Sequence, residues 1–148
     1  MKKPAVVYLL ASLHLLLGIN AVAGGCMLIA KPDGSLLGME QGWLNASPFS
    51  NYLVPGILLL LVNGMMPLYI AAGLLRKFSC KWSGPVNIYP NRHWAWTFSL
   101  YTGITVIGWI IIQQLLTRYF WLQPAVAATG LLIIIVTMLP AVIRYYTE

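Results

Sequence analysis

Residues 4–30 read PAVVYLLASLHLLLGINAVAGGCMLIA, an apolar run without a formal charge that begins after Lys3 and ends before Lys31. A helix needs about 20 apolar residues to cross the hydrocarbon core of a bilayer. Three further uncharged stretches follow, and each is longer than that requirement: 41–75, 93–117 and 119–143. The spacing of charges therefore predicts four membrane-spanning helices.

The composition agrees with this interpretation. Only 8% of the 148 residues are charged and 59% are hydrophobic, whereas a soluble domain has about 25% charged residues. The apolar runs are continuous and lack the alternation of a barrel strand. We therefore predict an all-α fold, an integral membrane four-helix bundle forming one transmembrane domain (1–148). Its predicted spans are about 5–30, 52–75, 94–117 and 124–143.

The distribution of basic residues predicts the orientation of the bundle. Seven lysine and arginine residues fall on the side of the termini and the second loop, against only Lys31 and Arg118 on the other side. The positive-inside rule then makes both termini and the basic loop 76–93 cytoplasmic, and the loops 31–51 and 118–123 external. The seven are Lys2, Lys3, Arg76, Lys77, Lys81, Arg92 and Arg144.

The net charge of +6 does not indicate nucleic-acid binding. The basic residues of the second loop alternate with tyrosine, phenylalanine and tryptophan, as helix ends do beside an anionic leaflet. We predict that this loop contacts anionic lipid headgroups and that nucleic acid is no partner. The residues concerned are Arg76, Lys77, Lys81 and Arg92.

Polar residues within the first two spans are candidate functional groups. His14 is the only ionisable residue deep in a span, and such groups are functional candidates by default. It shares one helix face with Gly18, Ala21 and Gly25, a close-packing seam. Asn63 lies four residues before Pro67, which removes the hydrogen bond to the Asn63 carbonyl and predicts a kink.

Each of these residues has two open interpretations, ligand binding or helix packing. Asn20 is a candidate partner for Asn63 because both are predicted at similar depth. In the third span Thr97, Tyr101 and Thr105 form one stripe at helical spacing, with Gln113 near its external end. Such a stripe lines a groove or packs a bundle.

The external loop 31–51 combines a turn signal with apolar anchors. Pro32-Asp33-Gly34 predicts a turn, and Trp43 and Phe49 are suited to lie at a membrane surface. We expect the loop to cap the bundle, with one short interfacial helix. Asp33 and Glu40 are either solvated loop charges or a catalytic carboxylate pair.

The sequence gives little support for an enzyme. It contains no phosphate loop, no metal-ligand cluster and no evident nucleophile–base pair, so we predict no cofactor and no metal. Cys26 and Cys80 form no CxxC motif and are predicted at opposite sides of the bilayer, which argues against a thiol redox enzyme. The sequence leaves open the alternative of a membrane isomerase that uses His14.

Several short motifs resemble those of small four-span bacterial inner-membrane proteins, broadly of the DoxX-like type. The motifs are Pro32-Asp33-Gly34, Gly38-Met39, Ser47-Pro48-Phe49, Pro55-Gly56, and Trp109 with Gln113. The resemblance covers nearly the whole chain. It implies a multi-pass protein of a bacterial inner membrane and carries no catalytic residue over to this sequence.

Two functions are consistent with these features. The first is a non-catalytic integral membrane protein that binds a lipid-like molecule or a partner membrane protein through its small-residue seams and capped external face. The alternative is a homo-oligomeric transporter or channel for a small or lipophilic solute, in which His14, Asn63 and the stripe of the third span share one cavity.

Overall fold

The computed structural model describes residues 2–147, and this part of the chain is helical without a β-strand. The predicted all-α fold is therefore confirmed. We number the main helices in chain order: α1 Ala5–Ala30, α2 Leu53–Arg76, α3 Trp94–Leu116, α4 Leu122–Thr137 and α5 Pro140–Tyr146.

Three of these helices, α1 to α3, are long and apolar enough to cross a membrane. Their ends lie within one residue of the first three predicted spans. The fourth predicted span, by contrast, is not one continuous helix, because α4 and α5 meet at an angle of 65°. Leu139 is extended between them (φ −62°, ψ 136°), as the residue before a proline prefers, and Pro140 then begins α5.

The middle of α2 is a π-helix, Leu59–Met65, in which the amide of Met66 donates to the carbonyl of Leu61. Pro67 was expected to kink this helix. Instead, it occupies the first turn of the α-helical part Met66–Arg76, where a missing N–H costs little. The wider π turn therefore takes up the proline, and α2 continues as one helix.

The helices pack in a closed order. α1 lies against α2 and α4, and α3 lies against α4 and the Met66–Arg76 part of α2. Two contacts are too close for any side chain: a Cβ on Gly25 would approach the Gly56 carbonyl to 2.9 Å, and one on Gly103 the Gly130 carbonyl to 2.8 Å. The seam predicted on α1 is thus buried against α2.

One end of the bundle, here called the far face, is formed by residues 31–52 and 117–121. Its loop contains two short 3-10 helices, Ser35–Leu37 and Gln41–Leu44, rather than the single short helix expected. Tyr52 is buried and donates a hydrogen bond to the Glu40 carbonyl (2.8 Å). The loop is therefore anchored on the bundle.

The opposite end, here called the basic face, contains residues 2–4, 76–93 and 144–147. Lysine and tyrosine side chains bind carbonyls of neighbouring elements there. Lys3 donates to the Leu75 carbonyl (2.6 Å), and Lys77 donates to the Tyr145 carbonyl (2.7 Å). Tyr146 donates to the Leu74 carbonyl (2.6 Å). Lys3 and Tyr146 thus satisfy carbonyls that the last turn of α2 leaves free, and the three bonds hold both ends of the described chain at one face.

Candidate functional site

A chain of buried polar side chains links α1, α3 and α4. His14 Nε2 lies 2.7 Å from Ser99 Oγ, which lies 2.9 Å from Thr137 Oγ1. Thr137 Oγ1 in turn donates to the Ile133 carbonyl (2.6 Å). All three side chains are 0% exposed. The polar groups of three helices are thus joined in the interior of the bundle.

The direction of these hydrogen bonds follows from counting protons. Thr137 uses its only hydroxyl proton on the Ile133 carbonyl, so Ser99 must donate to Thr137. His14 Nε2 must then carry a proton and donate to Ser99. A base that activates a serine has to accept its proton instead, so this arrangement does not make Ser99 a nucleophile. Its geometry is that of a clamp between helices.

The break between α4 and α5 lies next to this cluster. The Thr137 carbonyl loses its usual donor four residues on, because the chain turns away at Leu139. The indole of Trp96 donates to this carbonyl instead (2.9 Å). The neighbouring carbonyl of Val136 accepts from the Leu139 amide (3.2 Å). The carbonyls of Val136 and Thr137 at the bend therefore both have hydrogen-bond donors.

Sequence reasoning missed Ser99, which is the partner of His14. Ser99 is spaced at i, i+4, i+7 and i+11 with Gly103, Val106 and Ile110, and all four are buried. A small polar residue at the head of a Gly-containing helix face was the available signal. This signal is weaker than that of the stripe beginning at Thr97, which has more polar residues.

A second feature is a cleft of about 210 Å³ between α2 and α3. It opens where α3 parts from the π-helical segment of α2, and the exposed side chains of Val62 and Thr105 form its rim. An apolar cavity of about 150 Å³ takes up benzene, so the cleft has room for one ring or a short chain. Its lining residues are Val62, Asn63, Met66, Ile70, Phe98, Tyr101, Thr102 and Thr105.

The Asn63 amide is the unusual polar group of this cleft. Asn63 is 3% exposed, and its Oδ1 is enclosed without a hydrogen-bond partner. Buried amides nearly always have such a partner. Asn20, the predicted partner, is exposed and donates to the Leu16 carbonyl of its own helix (2.7 Å). The predicted pairing of Asn20 with Asn63 is therefore wrong.

The depth of Asn63 adds to its interest. It lies ten residues after Leu53, about 15 Å along a helix that rises 1.5 Å per residue, and so near the middle of α2. The π-helical segment surrounds it, and π-helical turns occur frequently at functional sites. Within a bilayer, no water would reach this amide to satisfy it.

The predicted stripe on α3 serves mainly to hold the loop before it. Thr97 donates to the Asn87 side-chain oxygen, and Tyr101 donates to the Val86 carbonyl (2.8 Å). Tyr101 and Thr105 also line the cleft. Gln113 lies in the last turn, where its backbone carbonyl accepts from Thr117.

The described residues of a single chain do not form the shared cavity that the transporter alternative assigns to His14, Asn63 and the stripe from Thr97 in an oligomer. His14 is enclosed with Ser99 and Thr137, whereas the cleft contains Asn63 with Thr105. Thr97 is bonded to the loop instead. A cavity shared by all of them would have to be assembled in some other arrangement of the helices.

The four residues of the predicted far-face cap differ in their surroundings. Asp33 accepts a hydrogen bond from the Ser35 amide (2.9 Å), which holds the pKa of its carboxyl below the usual range. Glu40 is exposed. Trp43 lies against Phe120, with 6.3 Å between ring centroids, and Phe49 is half-buried. The cap is thus a packed loop with solvated acids.

The four predicted anionic-lipid contacts lie at the basic face. Arg76 and Lys81 are exposed. Lys77 lies 4.1 Å from the centroid of the Tyr145 ring, and Arg92 lies over Trp96 with 4.3 Å between guanidinium carbon and ring centroid. This face therefore combines cations with aromatic rings, the composition found where helices leave a bilayer.

Comparison with known proteins does not extend these findings. No protein family, curated protein or solved structure matches the chain. The resemblance to DoxX-like proteins stays a prediction. Within residues 2–147, no group of three or more histidine, cysteine or acidic side chains is placed to hold a metal ion.

Proposed function

We propose that this chain is a multi-pass protein of a cell's inner membrane that binds one lipid-like molecule in the cleft between α2 and α3. The observation that carries the proposal is the enclosed Asn63 amide without a partner. A buried unsatisfied polar group costs about 1–3 kcal/mol. A bound ligand that completes the hydrogen bond would recover that cost.

The cleft indicates the chemistry of this ligand. Most lining side chains are apolar, so the ligand is largely hydrocarbon. The enclosed Oδ1 of Asn63 can only accept a hydrogen bond, so the ligand has to supply a donor, and one hydroxyl group suits this position. Because the cleft is smaller than the roughly 300–1,000 Å³ of a typical ligand site, only part of the molecule fits inside and the rest extends into the surrounding lipid.

Native mass spectrometry of the protein, released from its own membrane in a mild detergent, tests this proposal. We expect one retained apolar molecule with a hydroxyl group, bound to the wild type and lost in Asn63→Leu. The matched control is Asn20→Leu, which removes an exposed amide of α1 and should retain the molecule. Asn63→Leu also removes an orphan polar group, so its melting temperature should not fall.

Two results would overturn the proposal. One is retention of the same molecule, in the same proportion, by Asn63→Leu. The other is a spectrum that contains only bulk lipids in their membrane proportions. A symmetric oligomer without a ligand would likewise count against it and would favour the alternative, a transporter or channel.

The proposed orientation places the basic face in the cytoplasm, because the basic residues are concentrated there. Ser50 and Ser79 are exposed at the far and basic faces, respectively. In a background with Cys26 and Cys80 replaced by alanine, Ser50→Cys should react with an impermeant maleimide in intact cells. Ser79→Cys should react only after permeabilisation. The reverse pattern would contradict the orientation.

A further inference from the structure

A pocket of about 290 Å³ lies at the basic face, outside the cleft described above. Its lining is formed by the turn that precedes α3 and by the end of the chain: Tyr89, Pro90, Asn91, Arg92 and Thr147. The backbones of Arg92 and Thr147 pair across this pocket in an isolated antiparallel bridge. The turn is closed by a hydrogen bond from the Arg92 amide to the Tyr89 carbonyl (3.0 Å). The pocket thus has fixed walls.

The guanidinium of Arg92 has no acidic partner among the described residues. Its carbon lies over the Trp96 ring, 4.3 Å from the centroid, and its Nη1 is enclosed without a hydrogen-bond partner in that part of the chain. The other bound cations of this face differ, because Lys3, Lys77 and Arg144 each donate to a backbone carbonyl. A partly buried arginine normally has a carboxylate or phosphate partner.

The two acidic residues that the structure describes do not lie near Arg92. Asp33 and Glu40 belong to the far face, at the other end of the bundle. The third, Glu148, follows Thr147 in the sequence and lies outside the described residues. We propose that the Arg92 pocket binds a phosphate group, with the guanidinium as its charge partner and the Asn91 amide as a further donor.

Three properties of the pocket suit a phosphate group. A guanidinium presents a planar fork that matches two phosphate oxygens. Contact with the Trp96 ring holds the guanidinium in place, so binding costs less side-chain conformational entropy. The aromatic residues Tyr89, Trp94 and Trp96 mark the level at which headgroups lie if the bundle is inserted as proposed. A lipid headgroup and free phosphate both provide this chemistry, and the lipid source rests on the proposed insertion.

The test uses the full chain in a maltoside detergent that contains no phosphate. It is titrated with short-chain phosphatidylglycerol or with inorganic phosphate, and native mass spectrometry counts the bound copies. We expect one saturable site, weakened about tenfold or more by Arg92→Gln. Arg144→Gln, which removes an exposed cation of the same face, should leave it unchanged. Phosphatidylglycerol binding alone identifies a lipid headgroup; binding of both ligands identifies phosphate as sufficient.

A second variant guards against a folding defect. Asn91 is exposed, and its side chain makes no hydrogen bond to the described residues. Asn91→Asp should therefore fold, and its carboxylate should pair with the Arg92 guanidinium and exclude phosphate. Asn45→Asp makes the same change of charge at the far face and should bind normally. Asn63→Leu should also bind normally, so failure of the cleft ligand and failure of this site are distinguishable.

Two outcomes overturn the inference. One is equal weakening by Arg92→Gln and Arg144→Gln, which would mean diffuse attraction rather than a site. The other is an internal ion pair with Glu148. In that case Glu148→Gln and Arg92→Gln would lower the melting temperature equally, the double variant would lower it no further, and phosphate would not bind.

Discussion

His14 of α1 and Ser99 of α3 are joined by a hydrogen bond of 2.7 Å, although 85 positions separate them in the sequence. Ser99 continues the chain to Thr137 of α4, so one serine connects three helices. Lipid tails are as apolar as helix side chains, so hydrophobicity does not fix the relative register of helices in a bilayer. Polar links of this kind do.

Removal of Ser99 should destabilise the bundle. Ser99→Ala deprives both His14 and Thr137 of a partner, and we expect a loss of about 1–2 kcal/mol in the free energy of unfolding. Reversible unfolding in mixed micelles measures it. Ser12→Ala, at an exposed position of α1, is the control. A double-mutant cycle that shows no coupling energy between His14→Leu and Ser99→Ala would contradict a stabilising link between these two side chains.

The two glycines Gly103 and Gly108 of α3 should respond differently to the same substitution. A Cβ at Gly103 would meet Ile134 at 2.5 Å and the Gly130 carbonyl at 2.8 Å, whereas at Gly108 nothing lies within 4 Å. Gly103→Ala should therefore cost about 1–3 kcal/mol by overpacking. Gly108→Ala should be neutral or stabilising by up to about 1 kcal/mol. Thermal denaturation of both variants decides it, and similar melting temperatures would show that α3 and α4 do not pack as described.

Neighbouring tyrosines at the basic face provide a second matched pair. The Tyr146 hydroxyl is buried and donates to the Leu74 carbonyl (2.6 Å), and Tyr145 makes no such bond with its hydroxyl. Tyr146→Phe should lower the free energy of unfolding by about 1–2 kcal/mol, because the carbonyl is left without a donor. Tyr145→Phe keeps the ring over Lys77 and should change it by less than about 0.5 kcal/mol. Equal effects would argue against the link between α5 and the end of α2.

The far-face loop should loosen at low pH. The Ser35 amide donates to Asp33 and lowers the pKa of that carboxyl. A carboxyl with a lowered pKa in the folded state stabilises it above the pKa of the unfolded chain, about 3.9. The contribution is lost as the pH falls through the folded value. Carbon NMR of the Asp33 carboxyl should show a midpoint below 3.9, and Asp33→Asn should remove the loop's pH dependence. A midpoint at or above that value would contradict the turn.

Much of the fold could be predicted from local sequence because it depends on local quantities. The lengths of the uncharged runs place α1, α2 and α3, since a helix satisfies its own backbone regardless of its neighbours. The face of α1 formed by Gly18, Ala21 and Gly25 also follows from helical spacing alone. The bend of 65° between α4 and α5, by contrast, divides the fourth predicted span, which charge spacing alone makes continuous.

The candidate sites were only partly predictable. His14 and Asn63 stand out as rare polar residues in apolar runs, but their partners do not. Nothing near His14 in the sequence points to Ser99, and equal predicted depth suggested Asn20 for Asn63, which is exposed on α1. In the sequence Arg92 is equivalent to three other cations of the basic loop. Only the fold distinguishes it, because the turn before α3 and Thr147 enclose it.

The sequence by itself determined the helical class, the first three helices and the concentration of basic residues at one end, because charge spacing and backbone bonding act along the chain. Only the tertiary structure decided which helices are neighbours, and with them the His14–Ser99–Thr137 chain, the cleft at Asn63 and the isolation of Arg92. The reason is physical: apolar faces of four helices are nearly interchangeable, and close approach at Gly25, Gly56, Gly103 and Gly130 selects one arrangement.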